Sequence, residues 1–217
     1  VYRLVLLFML TACSRTQTHA PDVLEPEQVV ITIPTVVIDD RPVQKPVSRR
    51  ILIVGDSEAC AVNWVVQKIV PQINDEAGQP RDVIDVDCKG GTTVQYWGAQ
   101  GHLREALSRH PRPDTVLVFL GTNHYGQVVT PPVAQVTDIL KEKGLGCVWV
   151  GNTAVKGKTW KINKLLRESV GPTCSYFDTE AANIPLPDGV HPDRSGATKW
   201  LKAIWPTIPV KLEEEHE

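Results

Sequence analysis

Between residues 50 and 206, short apolar runs alternate with stretches that repeat apolar residues every three or four positions. "RILIVGD" (50–56), "DVIDVDC" (82–88), "DTVLVFLGTN" (114–123), "GCVWVGNT" (146–153) and "CSYFDTE" (174–180) are the short runs. Continuous apolar character over four to eight residues, bounded by turn formers, is what a strand buried on both faces requires. Between them, Val62, Val65, Val66, Ile69 and Ile73 share the apolar side of one helix-like stretch. "LREALSRH" reads as a short helix. "PPVAQVTDILKEKG" carries prolines at its start and a stop at Gly144, and "TWKINKLLRESVGP" ends on Gly171-Pro172. Ala197, Trp200, Leu201, Ile204 and Trp205 give the last helix its apolar face. Alternation of this kind implies a five-stranded parallel sheet covered by helices on both faces, joined by right-handed crossovers.

The chain of 217 residues is long enough for one such domain plus a tail. Net charge near −2 supplies no basic face for nucleic acid. No zinc-type CxxC or HExxH spacing occurs, so neither a metal nor another cofactor is expected.

The first thirteen residues, "VYRLVLLFMLTAC", place one early cation before a short apolar run, as a secretory signal does. The stretch ending in Cys13 resembles the lipobox of bacterial lipoproteins, in which that cysteine is acylated. The resemblance implies a diacyl anchor in the membrane. With Ser14 next, it also implies an outer-membrane lipoprotein facing the periplasm or the cell surface. A plain cleaved signal with an incidental cysteine is the alternative. Residues 14–48, rich in Pro, Thr, Asp and Gln, read as a tether. The expected catalytic domain spans 49–211, and an acidic tail occupies 212–217. Export places Cys60, Cys88, Cys147 and Cys174 in an oxidising compartment. The strand reading favours Cys60–Cys88 and Cys147–Cys174, with four buried thiols as the alternative.

In parallel sheets of this kind, functional groups gather at the carboxyl ends of the strands. The first strand leads to Ser57, the second to Gly90-Gly91, the third to Gly121-Thr122-Asn123, and the fifth to "PDGVHPDRSG". A hydroxyl that attacks an ester needs a base and donors for the oxyanion. His191 can be that base, and Asp188, three residues earlier, can fix its tautomer. Pro192 disfavours helical geometry at His191 and keeps this loop extended until the last helix. The Ser57 amide at a helix start, a glycine after the second strand and the Asn123 carboxamide are candidate donors. Taken alone, Ser57 reads more readily as a helix N-cap.

"GDS", the glycine turn of "CKGGTT", "GTN" and "DGVHP" resemble, in order, blocks one, two, three and five of the SGNH hydrolases, also called GDSL esterases and lipases. The resemblance covers about residues 50–206. It implies a flavodoxin-like three-layer α/β/α sandwich, with Ser57 as nucleophile, His191 as base and Asp188 as its orienting acid. It also implies an oxyanion hole of the Ser57 amide, Gly90 and Asn123, with Gly91 as the alternative to Gly90. Two positions depart from the pattern. Glu58 stands where the family usually has Leu or a small residue, and His124 where it commonly has Asp.

The expectation is a serine esterase acting on a small acyl ester or an acylated carbohydrate or lipid, with O-acetyl groups on envelope or exported carbohydrate favoured. A non-catalytic binding lipoprotein and an acyltransferase using the same residues are the alternatives. His124 and Tyr125 either line the acyl or leaving-group pocket or lie on an exposed loop. Trp97 either stacks on a sugar ring or packs. Trp149, Trp200 and Trp205 occupy core positions, and His102 and His110 are expected to be solvated on a surface helix.

Overall fold

Apolar residues alternate between the two faces of each interior strand, and helices cover both sides. The computed structural model describes residues 45–110, 112–124, 130–153 and 160–211. These all fall within the unit Pro42–Glu217. The strands are β1 (Arg50–Gly55), β2 (Val83–Cys88), β3 (Thr115–Phe119), β4 (Gly146–Val150) and β5 (Ser175–Phe177). They pair in parallel in the order β2-β1-β3-β4-β5. This is the flavodoxin-like order, with its switch point between β1 and β3. The helices are α1 (Ser57–Asn63), α2 (Val66–Glu76), α3 (Val94–Trp97), α4 (His102–Arg109), α5 (Thr130–Glu142), α6 (Trp160–Ser169), α7 (Thr179–Ala182) and α8 (Arg194–Ile204).

The period of two along a strand divides the core. Ile51, Ile53, Leu117, Phe119, Val148 and Val150 pack with α1, α2 and α8, where Val62, Val66, Ala197, Trp200 and Leu201 are buried. Leu52, Val54, Val116, Val118 and Trp149 pack on the other side with α3, α4, α5 and α6. Both layers are fully desolvated at β1 and β3, which is why their sequences carry no alternation of polar residues. At about 25 cal/mol per Å², each such Val, Leu or Ile contributes roughly 1.5–3 kcal/mol.

Three readings change. The stretch from Ser57 to Glu76 is two helices, with the break at Trp64-Val65. The β-branched Val62, Val65 and Val66 hold helical geometry weakly, and the break still leaves all three buried. The short helices α3 and α7 carry too few residues to show a period in sequence. Trp205 belongs to a 3-10 turn after α8 rather than to the helix itself, although its ring is buried as expected. The segment 1–13 with Cys13, residues 14–44 of the tether and the tail 212–217 lie outside the described residues. Among the described residues, no helix is long and apolar enough to cross a membrane.

Cys60 joins Cys88, and Cys147 joins Cys174. The first bridge links α1 to the end of β2, and the second ties β4 to the residue before β5.

Candidate active site

Backbone geometry at the end of β1 admits only glycine. Gly55 has φ +158°, and a Cβ there would sit 2.1 Å from the Phe119 carbonyl oxygen. The Asp56 amide donates to that same carbonyl at 3.0 Å, and the Lys89 amide donates to the Gly55 carbonyl at 2.9 Å. The turns after β1, β2 and β3 are thereby laced together. Asp56 caps α1, its Oδ1 accepting the Glu58 amide at 3.0 Å. Capping falls to Asp56 rather than to Ser57, whose hydroxyl is left for another partner.

That partner is His191, whose Nε2 lies 3.0 Å from Ser57 Oγ across 134 residues of chain. On its other side, Nδ1 lies 2.9 Å from Asp188 Oδ2. A carboxylate can only accept, so Nδ1 carries the proton and Nε2 accepts from the serine hydroxyl. The Asp188 Oδ1 accepts the Val190 amide at 2.8 Å and the His191 amide at 2.6 Å. These bonds from the His191 amide and ring and the Val190 amide hold the exposed Asp188 carboxyl well below the usual carboxylate range. Asp188 is therefore an anion throughout the neutral range, able to hold one tautomer and to stabilise an imidazolium.

The oxyanion candidates surround the same serine. A Cβ on Gly90 would lie 3.8 Å from Ser57 Cβ, whereas one on Gly91 would meet nothing within 4 Å. Gly90 is the glycine whose bare backbone faces the nucleophile. Gly91, at φ +74°, supplies the left-handed turn. Asn123 Nδ2 donates to the Thr92 carbonyl at 2.8 Å and approaches Asp56 Oδ2 at 3.4 Å. Ser57 is the first residue of α1, where the backbone N–H has no intrahelical acceptor.

Beneath this constellation lie two carboxyls that carry no role in the sequence reading. Asp56 and Glu58 are both fully buried. Burial, and for Asp56 also the neighbouring Glu58, raises both above their ordinary values. Glu58 Oε1 accepts the Thr153 amide at 3.0 Å and the Thr153 hydroxyl at 2.5 Å, while Oε2 has no partner among the described residues. Thr153 closes "GNT" at the carboxyl end of β4, a polar turn like "GTN" after β3. That resemblance between the two turns was the available signal for it.

Other expected roles fall away. His124 is buried, its Nε2 accepting the Val94 amide at 2.8 Å. Burial lowers its pKa, and the ring is a neutral acceptor that shapes the turn rather than a side chain on an exposed loop. Tyr125 lies outside the described residues. Trp97 is buried in the core with its indole N–H on Thr92 Oγ1 at 3.1 Å, which removes it from any sugar. His102 stacks on Tyr96 with ring centroids 3.7 Å apart and bonds Glu105. His110 lies between Asp85 and Asp87. Both histidines are partnered rather than simply solvated. Trp149 and Trp200 are core residues, as their positions implied. Among the described residues, no group of three or more His, Cys, Asp or Glu could hold a metal ion.

No family model matches the chain, and no curated protein matches it in sequence. Solved structures do match in shape. TesA aligns with a TM-score of 0.56 at 20% identity, over 73% of this chain and 97% of its own. A carbohydrate acetylesterase family member from Sinorhizobium meliloti aligns with a TM-score of 0.56 at 16% identity, over 73% and 96%. AlinE4, an SGNH-hydrolase family esterase, aligns with a TM-score of 0.50 at 18% identity, over 74% and 95%. The fold is that of the SGNH hydrolases.

Proposed function

We propose that this chain is a serine esterase that hydrolyses carboxylic esters through an acyl-enzyme. The observation that carries the reading is the unbroken line from Asp188 through His191 to Ser57 Oγ, with contacts of 2.9 and 3.0 Å. His191 Nε2 takes the hydroxyl proton as Oγ attacks the acyl carbon, and the imidazolium then passes that proton to the departing alkoxide. Water, deprotonated by the same nitrogen, releases the acyl group and restores Ser57. The developing oxyanion is met by the Ser57 amide, the Gly90 amide and Asn123 Nδ2, which exchanges its long contact to Asp56 Oδ2 for the oxyanion, each such donor contributing about 3–4 kcal/mol in the transition state.

For the substrate we favour O-acetyl groups on envelope or exported carbohydrate. Two structures of like shape bear names of that kind, the Sinorhizobium meliloti protein and an acetyl xylan esterase, AlAXEase. We further propose that the protein is exported and anchored by lipid at Cys13, in an outer membrane facing the periplasm or the cell surface. The lipobox-like stretch ending at Cys13 and the two disulfides of the domain support this location.

Hydrolysis of p-nitrophenyl acetate, butyrate and octanoate by residues 42–217 tests the activity. The wild type is expected to turn over acetate fastest, and Ser57→Ala to lose on the order of 10⁴-fold or more in kcat. Equal rates for the two proteins would overturn the reading, and a preference for octanoate would overturn the acetyl assignment. Release of acetate with no acyl product on added alcohols or sugars separates hydrolysis from acyl transfer.

A further inference from the structure

A carboxyl buried as deeply as that of Glu58 is costly unless its bonds hold something in place. Its Oε1 fixes Thr153 through both amide and hydroxyl, and the Thr153 hydroxyl also approaches the Val190 carbonyl at 3.4 Å. Val190 precedes His191, and Glu58 follows Ser57. A second line therefore runs from the nucleophile to the base, beneath the first.

Among the described residues, the loop 186–192 makes two hydrogen bonds to the rest of the chain. One is His191 to Ser57 and the other is Thr153 to Val190. Packing of the buried Pro192 against Gly196 holds the far end. The first of these bonds is consumed by the chemistry, because an acylated Oγ has no proton to donate. During deacylation, when His191 must activate water, the Thr153 link is the hydrogen bond left to hold the loop.

We propose that Glu58 is a positioning residue which, through Thr153, keeps the His191 loop in register with Ser57 while the acyl-enzyme stands. The single proton of the Thr153 hydroxyl is shared between Glu58 Oε1 and the Val190 carbonyl, while the Thr153 amide keeps a second bond to Oε1. The inference rests on the esterase reading, and it assigns the Leu-to-Glu departure from the family pattern a task in the second half-reaction.

The test uses Thr153→Val, Thr153→Ser, Glu58→Leu and Glu58→Gln, with rates expressed per site titrated by a phosphonate. Thr153→Val and Glu58→Leu are expected to lower kcat for p-nitrophenyl acetate about fivefold to tenfold, the equivalent of one net hydrogen bond. KM should fall in parallel, so that kcat/KM stays within about threefold and a burst of p-nitrophenol precedes the slow phase. Thr153→Ser and Glu58→Gln should restore kcat, and the double variant Glu58→Leu/Thr153→Val should be no slower than either single change. Equal losses in kcat and kcat/KM, unchanged rates, or multiplicative losses in the double variant would each overturn the proposal.

A second readout needs no turnover. In the Ser57→Ala background, which also lacks the serine proton, Thr153→Val should speed amide exchange across 189–191 about fivefold to tenfold. Unchanged exchange there refutes the positioning role. Absence of wild-type hydrolysis, with exchange accelerated as expected, refutes the esterase reading instead.

Discussion

The two ends of the parallel sheet are built on opposite terms. At the amino end, Arg49 and Asp82 meet just before β1 and β2, with the guanidinium Nη2 2.7 Å from Oδ2 and Nε 3.0 Å from Oδ1. Asn74 Nδ2 and the Trp205 indole N–H each add a bond to Asp82 Oδ2 at 2.9 Å, and Arg49 Nη1 donates to the Ile208 carbonyl at 2.9 Å. Burial pushes Asp82 up, but the bonds from Arg49, Asn74 and Trp205 outweigh it and hold the carboxyl below its ordinary value. At the carboxyl end, Asp56 and Glu58 are raised, and Glu58 Oε2, His124 Nδ1 and Asn152 Nδ2 lack partners among the described residues. One end saturates its buried polar groups and fastens α2 and the chain after α8 to the sheet. The other tolerates unsatisfied groups around Ser57. Stability and chemistry are thus separable by position, and substitutions at the two ends should fail differently.

The sharpest contrast comes from two aspartates. Asp188→Asn, at the carboxyl end, should cost about 10³–10⁴-fold in kcat, because an amide no longer holds the Nδ1–H tautomer of His191. Its thermal midpoint should stay within a few degrees of wild type, since Asp188 is exposed. Asp82→Ala, at the amino end, should cost about 3–5 kcal/mol in urea unfolding by leaving Arg49 buried without its partner. The kcat per titrated site should not change. A loss of activity at Asp82 as large as that at Asp188 breaks the division between the ends.

The two disulfides sharpen it at closer range. They close loops of nearly equal length, with separations of 28 and 27 residues. Removing either by paired Cys→Ser substitution should therefore cost a similar amount, about 3–4 kcal/mol by loop entropy. Cys60 stands one helical turn beyond Ser57, and Cys88 lies two residues before Gly90. Loss of this pair should lower kcat several-fold at full folding, whereas loss of Cys147–Cys174 should leave it unchanged. Denaturant titration and kinetics on the same samples read both quantities.

The smallest effect is in the pH dependence of stability. A carboxyl with a raised folded-state pKa favours the fold below its unfolded value, and that contribution is lost as pH rises through the folded value. Asp56 and Glu58 therefore weaken the fold on the alkaline side. Asp82 and Asp188, held low, weaken it as pH falls. Glu58→Gln should gain stability relative to wild type as pH rises above the ordinary glutamate range, as measured by urea unfolding. A relative loss over that rise would mean that Glu58 is a stabilised anion.

Much of this was legible in the sequence because it is local or periodic. The apolar runs of β1 and β3 and the turn formers after each strand placed Ser57, Gly90, Asn123 and His191 at one sheet edge. Cys60–Cys88 and Cys147–Cys174 also follow from which strands lie side by side. What escaped depends on contacts between distant residues. Glu58 looked like a departure in a helix start, and its partner Thr153 is 95 positions away. His124 was legible as a type but not as buried, since its partner Val94 lies 30 positions away, and Trp97 is buried in the core cluster that Leu103, Val133 and Val136 of later helices complete. The Arg49–Asp82 pair spans 33 residues with no spacing rule to reveal it.

Covalent labelling by a p-nitrophenyl phosphonate ester, read by peptide mass spectrometry, tests the central claim most directly. One phosphonyl group per chain on the peptide carrying Ser57, with esterase activity falling in proportion to labelling and no label on Ser57→Ala or His191→Ala, is the result expected. Esterase activity that survives full labelling of Ser57, or label that settles on another residue, would contradict it.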